Sequence, residues 1–235
     1  MEIKRFFAEQ IDGDNIVLGG EEFYHCVKVT RHKVGFTIIV CMGDGWDYYA
    51  KIESIEKDRL TAKVFRKEQN KSEIEGSLIL LQAVCKELDF IVQKAVEMGV
   101  TDIVPFYSTN TSVTGVKQDR LQKIVLEAAK QCGRARLPKV YEPLAFDKAI
   151  ELSRTAENRL LCYEHCNRKS LKSAVQKNTK SLALFIGSEG GFTELEIAFA
   201  REKNLKVVSL GKRILRAETA AIAALTLSLS ALGEL

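Results

Sequence analysis

An α/β fold in two parts is what the sequence predicts, and three observations predict it. From residue 77 onward, short apolar runs alternate with amphipathic helical stretches, the pattern of a mostly parallel sheet with helices on both faces. Two of those runs stop directly at glycine, at Gly187 and Gly211. That brings two glycine loops to one edge of such a sheet, where open α/β folds bind ligands. Residues 1 to about 70, by contrast, hold short strand-like runs and a single helical stretch, the pattern of a small β-barrel or sandwich.

Composition bounds the reading. A chain of 235 residues, 46% hydrophobic and 28% charged with a formal net charge of +4, is long enough for one large domain or two smaller ones with ample core. The start Met1-Glu2-Ile3-Lys4-Arg5 lacks an apolar h-region, so no signal peptide is expected. The longest uncharged run, Thr219 to Gly233, is shorter than the roughly 18 residues a membrane helix needs, and no membrane partner is expected. Six cysteines without C-x-x-C spacing fit reduced thiols in a cytoplasmic protein. Cys162, His165 and Cys166 form the one cluster with metal-ligand chemistry. It lacks a second ligand pair, so no metal is expected.

In the amino-terminal part the strand-like runs are Lys4–Phe7, Ile16–Leu18, Thr37–Cys41, Trp46–Ile52 and Leu60–Phe65, punctuated by turns such as Gly43-Asp44-Gly45. A helix over about Glu21–Thr30 interrupts them, with Phe23, Cys26, Val27 and Thr30 at helical spacing and His25, Lys28, Arg31 and His32 around it. Residues 66 to 76 are polar and charged enough for a linker. Beyond it, Leu78–Val84 reads as a buried strand, Leu88–Met98 as a helix stopped by Gly99, and Thr101–Tyr107 as a strand.

The stretch from about Gln118 to Cys132 is an amphipathic helix. Leu121, Ile124, Val125, Ala128 and Cys132 share an arc of about 100°, while Arg120, Lys123, Lys130 and Arg134 share one of about 80°. From Lys117 to Lys139, seven Lys or Arg stand against Asp119 and Glu127. Such a concentration predicts a phosphate-facing surface, with a solvated helix face as the structural alternative. Residues 140 to 181 read as further helix and strand, with a strand at Arg159–Glu164 whose carboxyl end lies beside the ligand loops.

The chemistry gathers after residue 181. Leu182–Ile186 is a buried strand, and Gly187-Ser188-Glu189-Gly190-Gly191-Phe192 follows it. Three glycines there let backbone N–H and C=O groups approach a ligand closely. Thr193 and Glu196 stand at capping-box spacing for a helix to about Lys203, which Asn204 ends. Lys206–Leu210 is the next strand, and Gly211 stops it. Lys212-Arg213-Ile214-Leu215-Arg216-Ala217-Glu218-Thr219 then leads into an apolar helix from Ala220 to Leu232. Charges at the mouth of a buried helix usually have an assigned partner.

The motif Gly187–Phe192, followed by Leu210–Ala220, resembles the signature of the RsmE family of SPOUT-class methyltransferases, which methylate N3 of a uridine in small-subunit ribosomal RNA. Lys86 through Gly99, Gln131–Arg134, Arg136-x-Pro138 and His25-x-x-Lys28-Val29-x-Arg31 are also similar to it. Two positions depart from the family pattern: Ser188, where proline is usual, and Asn110, where arginine is frequent.

The resemblance implies a SPOUT-type trefoil-knotted domain over 74–235 and a PUA-like, RNA-binding β-barrel over 1–70. It also implies a homodimer, with S-adenosyl-L-methionine as cofactor and 16S rRNA of the 30S subunit as substrate. The cofactor would lie against Ile186, Gly187, Ser188, Glu189, Gly190, Gly191, Leu210, Gly211, Ile214, Leu215, Arg216, Thr219 and Ala220. Arg5, His25, Arg31, Lys86, Arg120, Lys123, Lys130, Arg134 and Arg136 would meet RNA. Uridine N3 carries a proton at neutral pH, so a base or an anion-stabilising group is required. Glu189 and Glu218 are the candidate bases and Arg216 the group that holds the base edge or a phosphate. Glu218 also stands where a carboxylate complements a helix dipole, and an Arg216–Glu218 ion pair is the structural alternative. Two other functions remain open: SPOUT methylation of tRNA or a ribose hydroxyl, and a ribosome assembly factor without catalysis.

Overall fold

The computed structural model describes residues 3–8, 10–113, 115–166 and 169–235. The chain divides into two compact units, Met1–Glu73 with Ala129–Leu137, and Ile74–Ala128 with Pro138–Leu235.

In the first unit the strands are β1 (Arg5–Phe7), β2 (Ile11–Asp12), β3 (Asn15–Gly19), β4 (Thr37–Cys41), β5 (Trp46–Ile55) and β6 (Arg59–Gln69). They form one sheet in the order β1-β4-β5-β6-β3-β2, antiparallel except for the β1–β4 pair. Alternate residues Ile16 and Leu18, Ile38 and Val40, Ala50 and Ile52, and Leu60 and Ala62 enter a single cluster with Phe6, Phe23 and Cys26. The sheet therefore curls around one core as a half-barrel, with β1 and β2 as its edges, where a small barrel or sandwich was expected. The expected linker begins too early at residue 66, because β6 runs on to Gln69 opposite Trp46. The single helix expected over 21–30 is α1 (Gly20–Tyr24) continued as a π-helix through His25–Val29. Arg31 follows with φ +56, a left-handed conformation that ends helical winding.

The second unit contains β7 (Ser77–Ala83), α2 (Leu88–Glu97), β8 (Asp102–Tyr107), α3 (Gln118–Cys132, its last residues counted with the first unit), β9 (Lys139–Val140), β10 (Leu144–Ala145) and α4 (Phe146–Leu152). It continues with β11 (Asn158–Cys162), α5 (Leu171–Ala174), β12 (Ser181–Ile186), α6 (Glu194–Glu202), β13 (Lys206–Val208) and α7 (Ala217–Leu232). All seven strands are parallel, in the order β10-β8-β7-β12-β11-β13 with β9 beside β8. Ile79, Leu81 and Ala83 of β7 join Phe185 and residues of α4 and α6 in one cluster. Leu78, Leu80 and Gln82 alternate with them and are fully buried too. On that opposite face α7 packs on β12 and against α2 and α5, so β7 and β12 are covered on both sides.

Helix boundaries follow local chemistry. Thr193 and Glu196 make a reciprocal capping box at the start of α6, and Asn204, with φ +63, follows its end. α7 begins at Ala217, three residues before the expected start, with Arg216 extended at its N-cap. Glu218 and Thr219 are therefore helical.

Candidate functional site

β12, β11 and β13 are neighbours, so parallel pairing delivers three carboxyl-terminal loops to one edge. Between them lies a cavity whose empty space, open mouth included, is roughly 580 Å³. Loop 187–192 forms one wall, residues 210–217 a second, and Cys162, Tyr163 and Glu164 at the end of β11 a third. Of the residues expected at a cofactor, Ile186, Gly187, Ser188, Glu189, Gly191, Leu210, Gly211, Ile214, Leu215 and Ala220 line it; Gly190, Arg216 and Thr219 do not. The third wall was missed except as a strand end nearby.

The glycine loop is held from behind. Gln82 of β7, fully buried in an otherwise apolar strand, donates to the Gly187 carbonyl at 3.2 Å. Ser188 Oγ donates to the Asn110 carbonyl at 3.2 Å, and Asn110 Nδ2 donates to the Gly190 carbonyl at 2.8 Å. Glu189 Oε1 accepts the Lys86 N–H at 2.9 Å. Thr109 N–H donates to Glu196, so the α6 capping box also ties down the segment after β8. Phe192 is buried and stacked on Phe106, with ring centres 6.2 Å apart. Each residue from Gly187 to Gly190 thus has a tie to β7 or to the β8 carboxyl end, and the opposite side of the loop is left facing the cavity. A polar residue inside the apolar run Leu78–Val84 was the available sequence signal for Gln82.

Gly190 is required by contact, and Gly191 by its backbone conformation. A Cβ on Gly190 would sit 2.7 Å from Asn110 Cβ. One on Gly191, which has φ +63, would sit 2.4 Å from Glu164 Oε1. Arg216 is exposed and Glu218 half-buried in the first turn of α7. No ion pair joins them among the described residues. Burial pushes the Cys85 thiol up to about 12, with the Glu189 and Glu218 carboxylates adding to it. Both carboxylates therefore lie near the β7 carboxyl end. Burial likewise pushes Cys162 up to about 12, and a hydrogen bond to Glu194 raises Tyr163 to about 12. These groups stay protonated at neutral pH. Among the described residues no group of three His, Cys, Asp or Glu could hold a metal ion.

The nine residues expected at RNA divide into three groups. Arg31, Lys86, Arg120, Lys123 and Arg136 are exposed, Arg120 while paired with Asp89 at 2.5 Å. His25 is half-buried in the π-helix, its ring edge-on to Phe6. Three expectations are corrected by burial. Arg5 donates to Asp47 at 3.0 Å with its side chain 11% exposed, Lys130 pairs with Glu22, and Arg134 pairs with Glu73 at 2.9 Å with its side chain 2% exposed. A cation that is buried and paired with an internal carboxylate presents no charge to a phosphate. The basic face expected on α3 is thereby shortened to its first two turns.

A family model described as an RNA methyltransferase domain matches residues 72–229, the part of the chain that contains the parallel sheet, both glycine loops and the cavity. By class, then, this is an RNA methyltransferase. Ribosomal RNA small subunit methyltransferase E of Mesomycoplasma hyopneumoniae is 35% identical, covering 94% of this chain and 97% of the relative. The protein of the same name in Bacillus subtilis is 29% identical over 95% of each. A crystal structure of ribosomal RNA small subunit methyltransferase E from Neisseria gonorrhoeae bound to S-adenosyl methionine superposes with a TM-score of 0.90, at 28% identity and 98% coverage of both chains. The chain belongs to the ribosomal RNA small subunit methyltransferase E family.

Proposed function

We propose that this chain transfers a methyl group from S-adenosyl-L-methionine to N3 of a uridine in 16S rRNA. The observation that carries the reading is the cavity walled by loop 187–192 and residues 210–217, in a member of this family. The residues present fit the cofactor. Gly187 and Gly191 line the cavity with backbone alone, Leu210, Ile214 and Leu215 offer apolar contact, and Glu164 brings a carboxylate to a ligand that carries positive charge. Bound there, the cofactor supplies an electrophilic methyl group on a sulfonium.

The chain's own residues supply the rest. Glu189 and Glu218 are the carboxylates near the cavity's β7 side, and either one accepts the N3 proton. Arg216, at the mouth of α7, holds the anionic base edge. Cys85 and Cys162 are held as thiols, so no thiolate competes for the methyl group. The reading carries with it a SPOUT-type trefoil knot in the segment that includes both loops, a PUA-like amino-terminal unit that assists RNA binding, a homodimer, the 30S subunit as substrate and a cytoplasmic setting. Family membership supports each of these. The exposed cations Arg31, Lys86, Arg120, Lys123 and Arg136 are the proposed phosphate contacts.

The test is nucleoside mass spectrometry of small subunits lacking the modification, incubated with the protein and S-adenosyl-L-methionine beside an Arg216→Ala variant. New 3-methyluridine is expected with the wild type and about 100-fold less with the variant, the usual effect of removing one group that stabilises developing charge. A different methylated nucleoside would move the substrate. Loss of cofactor binding by the wild type would overturn the reading in favour of a non-catalytic assembly factor.

A further inference from the structure

A second depression opens beside the cofactor cavity, on the β7 side of the sheet edge. Val84, Leu88, Val113, Val116 and Leu121 give it an apolar part, with the buried Cys85 among them. Its polar lining is Lys86, Lys117 and Arg120, with the Asp89 carboxylate paired to Arg120. Among the described residues neither Lys86 nor Lys117 is held in an ion pair. A shallower depression shares Lys117 and Arg120 and adds Lys123, so the cationic rim continues along the first turns of α3. The depression and the cavity share a boundary: Lys86 on the rim of one donates its N–H to Glu189, which lines the other.

We propose that this slot receives the nucleotide to be methylated, its base between the apolar walls and its flanking phosphates on Lys86, Lys117 and Arg120. The proposal rests on the methyltransferase reading and names the substrate subsite of that same site. Three features favour an RNA nucleotide as occupant. Apolar walls suit the faces of a planar base, which are recognised by stacking and dispersion. Three cations on one rim suit a phosphate backbone, which recruits Lys and Arg without regard to sequence. The shared boundary brings the base to Glu189, so that a base lodged in the slot has a carboxylate beside it at the cofactor's edge. Arg120 is preset by Asp89, which fixes its position without removing its donors, since a guanidinium has five.

The test uses the full chain and 16S rRNA transcribed with 4-thiouridine. After irradiation, cross-linked peptides containing residues 84–89 or 115–121 are expected, and a Val116→Trp variant, whose ring fills the slot, should lose them. In a parallel assay on unmodified small subunits, Val116→Trp should methylate at least about tenfold more slowly, as loss of one base-stacking position implies, while binding S-adenosyl-L-methionine within about twofold of wild type. Retained cofactor binding shows that the variant folds. Lys117→Glu, which leaves the walls intact, should weaken RNA binding and its salt dependence without changing cofactor affinity. Cross-links confined to other peptides, or a Val116→Trp variant that methylates as fast as wild type, would overturn the slot and leave the methyltransferase reading standing. Cross-links at the slot with no methylation by the wild type would support the slot as an RNA site and overturn the activity instead.

Discussion

Gly191 shows how little freedom the cavity wall has. Its φ of +63 is a conformation that residues with a Cβ rarely adopt, and the added methyl would sit 2.4 Å from the Glu164 carboxylate. Gly191→Ala should therefore weaken S-adenosyl-L-methionine binding by about tenfold or more, by displacing either the loop or Glu164. Isothermal titration of the purified variant reads this directly, and unchanged affinity would show that the cofactor does not depend on this wall. At this scale the sequence was readable where a residue type constrains its own backbone, as with the three glycines. It was misread where the decisive partner is remote. Lys130 and Arg134 fall on one stripe with Arg120 and Lys123 only when helical spacing is continued past Cys132, where α3 ends, and Glu22 and Glu73 claim the first two; helical periodicity carries no information about residues about 60 to 110 positions away.

Among the elements, the loop after β12 is defined by what lies behind it. Ser188 and Asn110, where departures from the family pattern are expected from sequence, are joined by a bond from Ser188 Oγ to the Asn110 carbonyl, and Asn110 also holds Gly190. A proline would restrict the loop through its own ring; here a side-chain clamp from the segment after β8 supplies the restraint. Asn110→Ala should loosen it and raise the dissociation constant for S-adenosyl-L-methionine about fivefold, the effect of one hydrogen bond of about 1 kcal/mol. Titration of the variant beside wild type checks this, and the melting temperature should change little because Asn110 is exposed. The capping box at Thr193 and Glu196, the run of α3 and the strand over Thr37–Cys41 were all legible, since each depends on residues adjacent in sequence. The two-residue strands β2, β9 and β10 were not. Such short pieces are fixed by the partner they pair with and leave no periodic signal. The turn from α1 into a π-helix was equally invisible, because it alters hydrogen bonding without altering the apolar spacing.

For the molecule as a whole, acid is the condition to which the buried charge of the first unit responds. Burial opposes ionisation of Asp47, but hydrogen bonds from Arg5 and Asn70 outweigh it and hold the carboxyl below its ordinary value of 3.8. In acid the unfolded chain therefore binds this proton more readily than the folded one. The stabilising contribution is complete above the unfolded value and is lost as pH falls through the folded one. Urea unfolding between pH 6 and pH 3 should show a decline at the acid end that Asp47→Asn diminishes. The variant should be less stable at neutral pH by about 3 kcal/mol, since Arg5 is left as a buried charge without its counter-ion. A pH profile identical in variant and wild type would remove Asp47 from the account.

The strand order has a last consequence, in time. β7 lies at the heart of the parallel sheet, yet its partner β12 joins it only through pairs such as Ser77 with Ser181. The half-barrel, in contrast, draws all six of its strands from the first 69 residues. As the chain leaves the ribosome, the half-barrel has every strand it requires early, while β7 emerges with one flank open and waits from Ala83 to Ser181 for β12. Long-range parallel pairing of this kind is slow and leaves apolar edges exposed. The floor of the cofactor cavity is thus among the last parts of the molecule to exist, and a nascent chain that stalls before Ser181 carries a finished half-barrel and a sheet that still lacks its cavity.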